Sequence, residues 1–214
     1  MKTTVYIARH SLVDKKIINI NNSDSFQVEN EKQILSVLGE EKARKLSEQR
    51  ELFNIDMVIS SNYVRAIQTA KYVADKNNLH IMIDESFGER KFGVSTWDDV
   101  SSDYFEKQYY DESYKTPNGE SQKEVRKRMY KALIKAIEKY KGKRIFIVSH
   151  ATSICFLFSK WCRLVLTSPR EKIRQLYFND ELIFDGKIDC PCLFKLEFDD
   201  NNNLISIENI KTDN

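Results

Sequence analysis

His10, His150, Arg9 and Arg65 are the side chains of this chain whose types and placement could do chemistry together. His10 ends the run Tyr6-Ile7-Ala8-Arg9-His10, and His150 ends the matching run Phe146-Ile147-Val148-Ser149-His150. Each run reads as a buried strand. Ligands of open α/β sheets bind outside the carboxyl ends of the strands, so the echo puts both imidazoles at one edge. Arg9 adds a fixed positive charge beside His10. Arg65 falls in the first turn of the helix expected after a second strand, with Ser61 as its expected cap. An arginine there opposes the helix dipole, which suits a bound anion drawn also by the free N–H groups of the helix start. Two histidines, two arginines and helix N-termini at one edge describe a phosphate site. Taken singly, each has a blander reading, as a structural histidine or a solvated helix arginine. His80, just before a short run at Ile81 to Ile83, is read as structural.

The elements that must position these residues are legible in the apolar pattern. Thr4 to Ala8, Met57 to Ile59 and Arg144 to Val148 are near-continuous apolar runs, the signature of parallel strands covered on both faces. Tyr63, Ala66, Ile67, Ala70, Val73 and Ala74 share one helical face, as do Val125, Met129, Ala132, Leu133, Ala136, Ile137 and Tyr140. A weaker stripe runs through Val37, Leu38, Ala43 and Leu46. Leu193 to Phe198 and Leu204 to Ile210 predict a terminal hairpin around Asp199 to Asn203. The segment from Lys15 to Glu31 reads as a long loop. Strands alternating with helices predict a three-layer α/β/α sandwich with a mainly parallel central sheet, in a single domain over 1–214.

Composition narrows the function classes. Hydrophobic residues make up 41% of the chain, enough for one sizeable core. The 34 basic and 32 acidic side chains leave a net charge of +2, so the whole molecule makes no case for nucleic acid and any attraction for anions must be local. The start of the chain lacks a signal-peptide pattern. Ile154 to Leu166, interrupted by Lys160 and Arg163, is too short to span a bilayer. A cytoplasmic protein with no membrane partner is expected. Cys155, Cys162, Cys190 and Cys192 read as unpaired thiols of a reducing compartment. The six glycines contain no Gly-x-Gly, so dinucleotide and P-loop fingerprints are missing. Neither His-x-His nor His-Glu-x-x-His occurs, and Arg9 and Arg65 would repel a cation, so no metal and no cofactor are expected.

Five blocks together resemble the histidine phosphatase superfamily, which includes the cofactor-dependent phosphoglycerate mutases. Arg9-His10 stands where that family has Arg-His-Gly. Ser60-Ser61-Asn62-Tyr63-Val64-Arg65-Ala66-Ile67-Gln68-Thr69-Ala70 matches Ser-Ser-x-x-x-Arg-Ala-x-x-Thr-Ala. Glu89 with Phe92-Gly93 matches Glu-x-x-x-Gly. Pro117 to Ser121 is similar to Pro-x-Gly-Glu-Ser, and Val148-Ser149-His150 to Val-Ser-His. The order is the family's and the blocks cover residues 5 to 154. The resemblance implies a phosphoglycerate mutase-like fold and a metal-independent phosphomonoesterase. In it, His10 attacks phosphorus and forms a phosphohistidine, while Arg9, Arg65 and His150 hold the phosphoryl oxygens. Glu89 protonates the leaving alcohol and then activates water, a role that calls for a raised pKa. The alternative for Glu89 is a surface carboxylate paired with Arg90 or Lys91.

The match departs from the family beside the nucleophile. Ser11 and Ala151 replace the glycines that follow the two histidines, so both are expected to border the bound phosphate, and Ser11 to crowd or reorient it. Val13 and Lys16 stand where the family often has Thr and Asn, leaving Asn19, Asn21 or Asn22 to substitute by a different loop path. Only 27 residues separate Glu89 from Pro117, where the mutases carry a longer insertion, which favours a phosphatase over phosphoglycerate mutase-type transfer. Trp97, Tyr104, Phe105, Tyr109, Tyr110 and Tyr114 in this segment form either an aromatic lid or an amphipathic helix packed on the domain. A catalytically silent member that binds a phosphorylated ligand is the remaining alternative. The expected partner is a small phosphorylated substrate, acted on by a monomer or homodimer.

Overall fold

A computed structural model describes residues 2–14 and 25–211. Lys16, Asn19, Asn21 and Asn22 lie outside the described residues. In chain order the strands are β1 (Thr3–Arg9), β2 (Met57–Ser60), β3 (Ile81–Ile83), β4 (Arg144–Ser149), β5 (Arg163–Ser168), β6 (Ile173–Phe178), β7 (Glu181–Gly186), β8 (Cys192–Phe198) and β9 (Leu204–Ile210). The α-helices are α1 (Phe26–Lys32), α2 (Val37–Leu46), α3 (Val64–Lys76), α4 (Tyr104–Tyr110), α5 (Gln122–Lys139) and α6 (Ala151–Phe158).

The central sheet runs β3-β2-β4-β1-β8-β9. Its first four strands are parallel, and β8 of the terminal hairpin pairs antiparallel with both β1 and β9. Side chains alternate between the faces of a strand, and the two layers of helices take one set each. Val5, Ile7, Ile145 and Ile147 pack with Val125, Met129 and Leu133 of α5 and Ile154 of α6. Tyr6, Ala8, Phe146 and Val148 pack with Ala66, Ala70 and Val73 of α3 and Leu46 of α2. This is the mixed α/β sandwich, with a mainly parallel sheet between helices, that the apolar runs predict.

Caps explain where the helices start. Ser121 accepts the Glu124 amide while Glu124 accepts the Ser121 amide, a capping box that starts α5. Ser36 does the same service for α2 by accepting the Gly39 amide at 3.0 Å. Gly39 is required there, because a Cβ would sit 2.0 Å from the Leu12 carbonyl oxygen. That close approach ties α2 to the chain just after His10.

Two features differ from the sequence expectations. The segment from Lys15 to Glu31 is not loop throughout, since α1 begins at Phe26, capped by Ser25 and anchored by the buried Phe26 ring. A second, three-stranded antiparallel sheet, β5-β6-β7, was not expected at all. It packs through Leu176 and Phe184, whose ring lies 5.5 Å from that of Phe194 on β8. Among the described residues no helix is long and apolar enough to cross a membrane.

Candidate active site

The register of the parallel strands brings the two histidines together. Arg9 pairs with Ser149 across β1 and β4, and the His10 amide donates to the Ser149 carbonyl at 3.0 Å. The Ser61 amide donates to Val148 at 3.1 Å, which adds the end of β2 to the same edge. The imidazole centroids of His10 and His150 are 5.0 Å apart. Both rings are buried, His10 at 6% exposure and His150 at 0%.

Hydrogen bonding fixes the tautomer of each ring. His10 Nδ1 lies 2.7 Å from the Ser11 carbonyl oxygen, which can only accept, so Nδ1 carries the proton. Nε2 then has a free lone pair and accepts from Arg65 Nε at 3.1 Å. His150 Nδ1 faces Arg65 Nη2 at 3.4 Å. Arginine only donates, so the His150 proton sits on Nε2, 2.8 Å from Ser61 Oγ. Ser61 is therefore the partner of His150 and not the cap of α3, whose N-cap is Tyr63. Burial, then the charges of Arg65 and Arg9, hold the His10 pKa well below its ordinary value. For His150 the causes are burial, Arg65 and the neighbouring His10. Both rings are neutral at pH 7.

Arg65, in the first turn of α3, is 4% exposed. Its guanidinium reaches both histidines and also Asn30 of α1, donating through Nη1 to the Asn30 carbonyl and through Nη2 to Oδ1 at 3.3 Å. Asn30 was not singled out by the sequence, because only the turn into α1 aims it at Arg65. Arg9 donates through Nη1 to the Ile188 carbonyl, and its Nε has no partner.

Glu89 follows a single 3-10 turn, Glu85–Phe87. Its carboxylate accepts from the amides of Arg90 at 2.9 Å and Ser153 at 3.1 Å, and from Ser153 Oγ at 2.9 Å. The Thr152 amide is 3.4 Å away. His150 supplies no side-chain cap to α6, so Glu89 satisfies the open amides of that helix from outside. Burial works to raise its pKa, but the Arg90 charge, the Arg90 amide and Ser153 outweigh it and hold the carboxyl below its ordinary range. Its pKa is thus lowered, where the sequence reading calls for a raised one, and its carboxylate is held by the amides of Arg90 and Ser153 instead of by a surface pairing with Arg90 or Lys91. Arg128 fixes this corner. It pairs bidentately with Glu120 at 2.7 and 2.9 Å and donates to the carbonyls of Ser86, Gly88 and Glu89.

Arg9, His10, Arg65, Glu89 and Ala151 line one cleft of about 380 Å³. His150 lies beneath it, touching Arg65 and His10. Ser11 lies away from the cleft lining, with its amide donating to Thr69 Oγ1 at 2.9 Å and its hydroxyl buried without a partner. Ser11, expected to crowd or reorient the phosphate, is fully buried and does not line the cleft. Of the aromatic segment, Trp97 and Phe105 line the cleft, while Tyr104 is packed within and Tyr110 is 70% exposed. The cleft also takes Arg90, Lys172, Arg174 and Lys187, which no sequence spacing had joined. Among the described residues no group of three or more His, Cys, Asp or Glu side chains is arranged to hold a metal.

Histidines, arginines and a carboxylate gathered at the strand ends of a mainly parallel sheet define a phosphoglycerate mutase-like α/β fold. Solved structures share it. The native mycobacterial glucosyl-3-phosphoglycerate phosphatase superposes with a TM-score of 0.69 at 15% identity, covering 98% of this chain and 97% of that one. YhfR of Bacillus stearothermophilus gives 0.65 at 19%, covering 95% and 94%. The chain belongs to the histidine phosphatase superfamily (branch 1), whose family model matches residues 5–177. Among curated relatives, the uncharacterized phosphatase PhoE of Bacillus subtilis (strain 168) is 29% identical over 126 residues, 59% of this chain and 63% of the relative. A probable phosphoglycerate mutase GpmB of Enterobacter sp. (strain 638) is 30% identical over 132 residues, 58% and 61% of the two. These matches span about three fifths of the length of the relatives.

Proposed function

We propose that this protein is a metal-independent phosphatase that hydrolyses small phosphomonoesters through a phosphohistidine on His10. The observation that carries the reading is the unprotonated Nε2 of His10, a neutral nucleophile at the edge of a cleft, with Arg65 Nε 3.1 Å away. Membership in a superfamily whose similar members are named phosphatases and mutases supports phosphoryl chemistry in general.

In this scheme the Arg65 N–H that rests on the His10 lone pair moves to a phosphoryl oxygen as the substrate binds. That exchange frees Nε2 for in-line attack. The P–Nε2 bond forms, the ester P–O bond breaks, and Glu89 gives its proton to the departing oxygen. The Arg90 charge and its amide partners hold the Glu89 carboxyl low, so the proton it gives is one taken from the monoanionic phosphate ester or from solvent as the substrate's negative charge enters beside it. In the second half, Glu89 takes a proton from water, the water oxygen attacks phosphorus, and the P–Nε2 bond breaks. Arg9, Arg65 and His150 offset the charge on the phosphoryl oxygens. The cations around His10 disfavour a metal ion there.

The test is hydrolysis of p-nitrophenyl phosphate and a panel of phosphorylated metabolites in EDTA, wild type against His10→Ala. The expected result is activity in wild type that falls by about 10³-fold or more in the variant, with an acid-labile phosphoenzyme trapped only in wild type. Comparable activity in folded His10→Ala would overturn the reading.

A further inference from the structure

Proton transfer by Glu89 asks for a carboxylate held in place, because a misplacement of about 1 Å can cost about 10²-fold in rate. The loop that carries Glu89 is neither strand nor helix beyond the single turn Glu85–Phe87, so no backbone ladder holds it. Behind it lies a cavity of about 100 Å³ lined in part by Ser86, Gly88, Glu89, Glu120 and Arg128, which leaves the loop room to shift. Side-chain donors fix it instead.

Four consecutive carbonyls, from Ser86 to Glu89, accept from side chains of α5, β4 and α6. Ser149 Oγ donates to the Phe87 carbonyl at 2.7 Å, and Ser153 Oγ lies 2.9 Å from both the Gly88 carbonyl and Glu89 Oε1. Arg128 supplies the rest. A guanidinium has five N–H donors in a rigid fork, and Arg128 meets five acceptors. Nε and one N–H of Nη2 take the two Glu120 oxygens, at 2.7 and 2.9 Å. Nη1 reaches the carbonyls of Ser86 at 2.7 Å and Gly88 at 3.1 Å, and the other N–H of Nη2 reaches that of Glu89 at 3.2 Å. Glu120 in turn accepts the Lys91 amide at 2.9 Å, and its own amide donates to the Lys91 carbonyl at 2.9 Å. The ion pair thus grips the chain on both sides of Glu89.

We propose that Arg128, braced by Glu120, is a positioning residue for the reaction: its fork sets the path of the Glu89 backbone, and so the place of the carboxylate at the leaving oxygen. This rests on the phosphomonoesterase reading with Glu89 as proton donor. Arg128 lines the cavity behind the loop and not the cleft of His10, so it acts through Glu89 and its effect is confined to the step that needs that carboxylate. Lysine would keep the charge, but its three donors on one nitrogen cannot span five acceptors.

The test compares kcat/KM for ethyl phosphate and p-nitrophenyl phosphate in wild type, Arg128→Lys, Glu89→Gln and the double variant. Arg128→Lys should cost about tenfold or more on ethyl phosphate and at most about threefold on p-nitrophenyl phosphate, whose leaving group scarcely needs a proton. In the Glu89→Gln background the same substitution should cost at most about threefold on ethyl phosphate, because the group it positions is already gone. A merely structural arginine would slow both esters alike and add its cost in both backgrounds, and either result overturns the proposal. Should Arg128→Lys fail to fold, Glu120→Gln, which leaves the fork a single oxygen, is read in the same way. If no ester is turned over, or if Glu89→Gln slows both esters equally, the phosphatase or the proton-transfer reading fails instead. Positioning is then decided by hydrogen exchange of the Arg90 and Ser153 amides, which donate to the Glu89 carboxylate. Exchange about tenfold faster or more in Arg128→Lys, with the β4 amides unchanged, upholds the proposal, and unchanged exchange overturns it.

Discussion

The strand-end cluster and the basic wall beside it solve opposite problems. His10, His150 and Arg65 are buried and hydrogen-bonded through Ser11, Ser61, Asn30 and one another. Arg90 is as deeply buried but leaves two N–H groups unpartnered. A preorganised set of donors costs little reorganisation when charge develops, as transition-state stabilisation demands. Open N–H groups on a buried guanidinium instead gain most from an acceptor that reaches them. One end of the cleft is hydrogen-bonded within itself, and the other carries a buried guanidinium with open N–H groups.

Glu89 sits at the junction of the two and offers the sharpest way to break the comparison. It caps α6 on one side and feels the Arg90 charge on the other. Glu89→Gln should slow alkyl phosphate hydrolysis by about 10²-fold or more, and p-nitrophenyl phosphate hydrolysis much less, because a good leaving group scarcely needs the proton. Parallel losses on both ester types, measured as kcat, would move Glu89 out of proton transfer and leave it as a cap.

The satisfied end also has a signature in stability. Both histidines have pKa values depressed well below 6.5 by burial and the arginines. Below pH 6.5 the unfolded chain therefore binds protons that the folded chain refuses, so stability is full above that pH and falls as acid is added. Each histidine contributes a slope of up to about 1.4 kcal/mol per pH unit in that window. Urea midpoints between pH 7 and 5 should decline for wild type and decline less steeply for His10→Ala. A flat wild-type profile would mean that the rings are not buried as neutral imidazoles.

How far each end could be read from the sequence follows the same division. Continuous runs such as Thr4 to Ala8 and Arg144 to Val148 announce parallel strands, and their register alone delivers His10 and His150 to one edge. Arg65 follows from the helix after β2, and the terminal hairpin from its two apolar runs. The second sheet was hidden because only one of its faces is covered. Leu176 and Phe184 are buried, while Leu182 is 50% exposed and polar residues fill much of each strand. Arg90, Lys172 and Arg174 were invisible as a group, since tertiary packing alone joins a loop after β3 to β6. Asn30 was hidden in the same way, by a short helix whose sequence, Phe-Gln-Val-Glu-Asn-Glu-Lys, is mostly polar.

Ser11 is the smallest and most specific probe of the division. As a departure from Arg-His-Gly it suggested crowding at the phosphoryl group, yet its side chain turns inward and its hydroxyl lacks a partner. Its backbone does the useful work, with the carbonyl fixing the His10 tautomer and the amide bonded to Thr69. A buried hydroxyl without a partner is a cost that alanine removes at nearly the same volume. Ser11→Ala should therefore leave kcat/KM within about threefold and change stability by at most about 1 kcal/mol, in the stabilising direction. A large loss of turnover would show that the hydroxyl reorients toward the phosphoryl group when substrate binds. The histidine end would then carry an open hydrogen-bonding group, as the Arg90 guanidinium does.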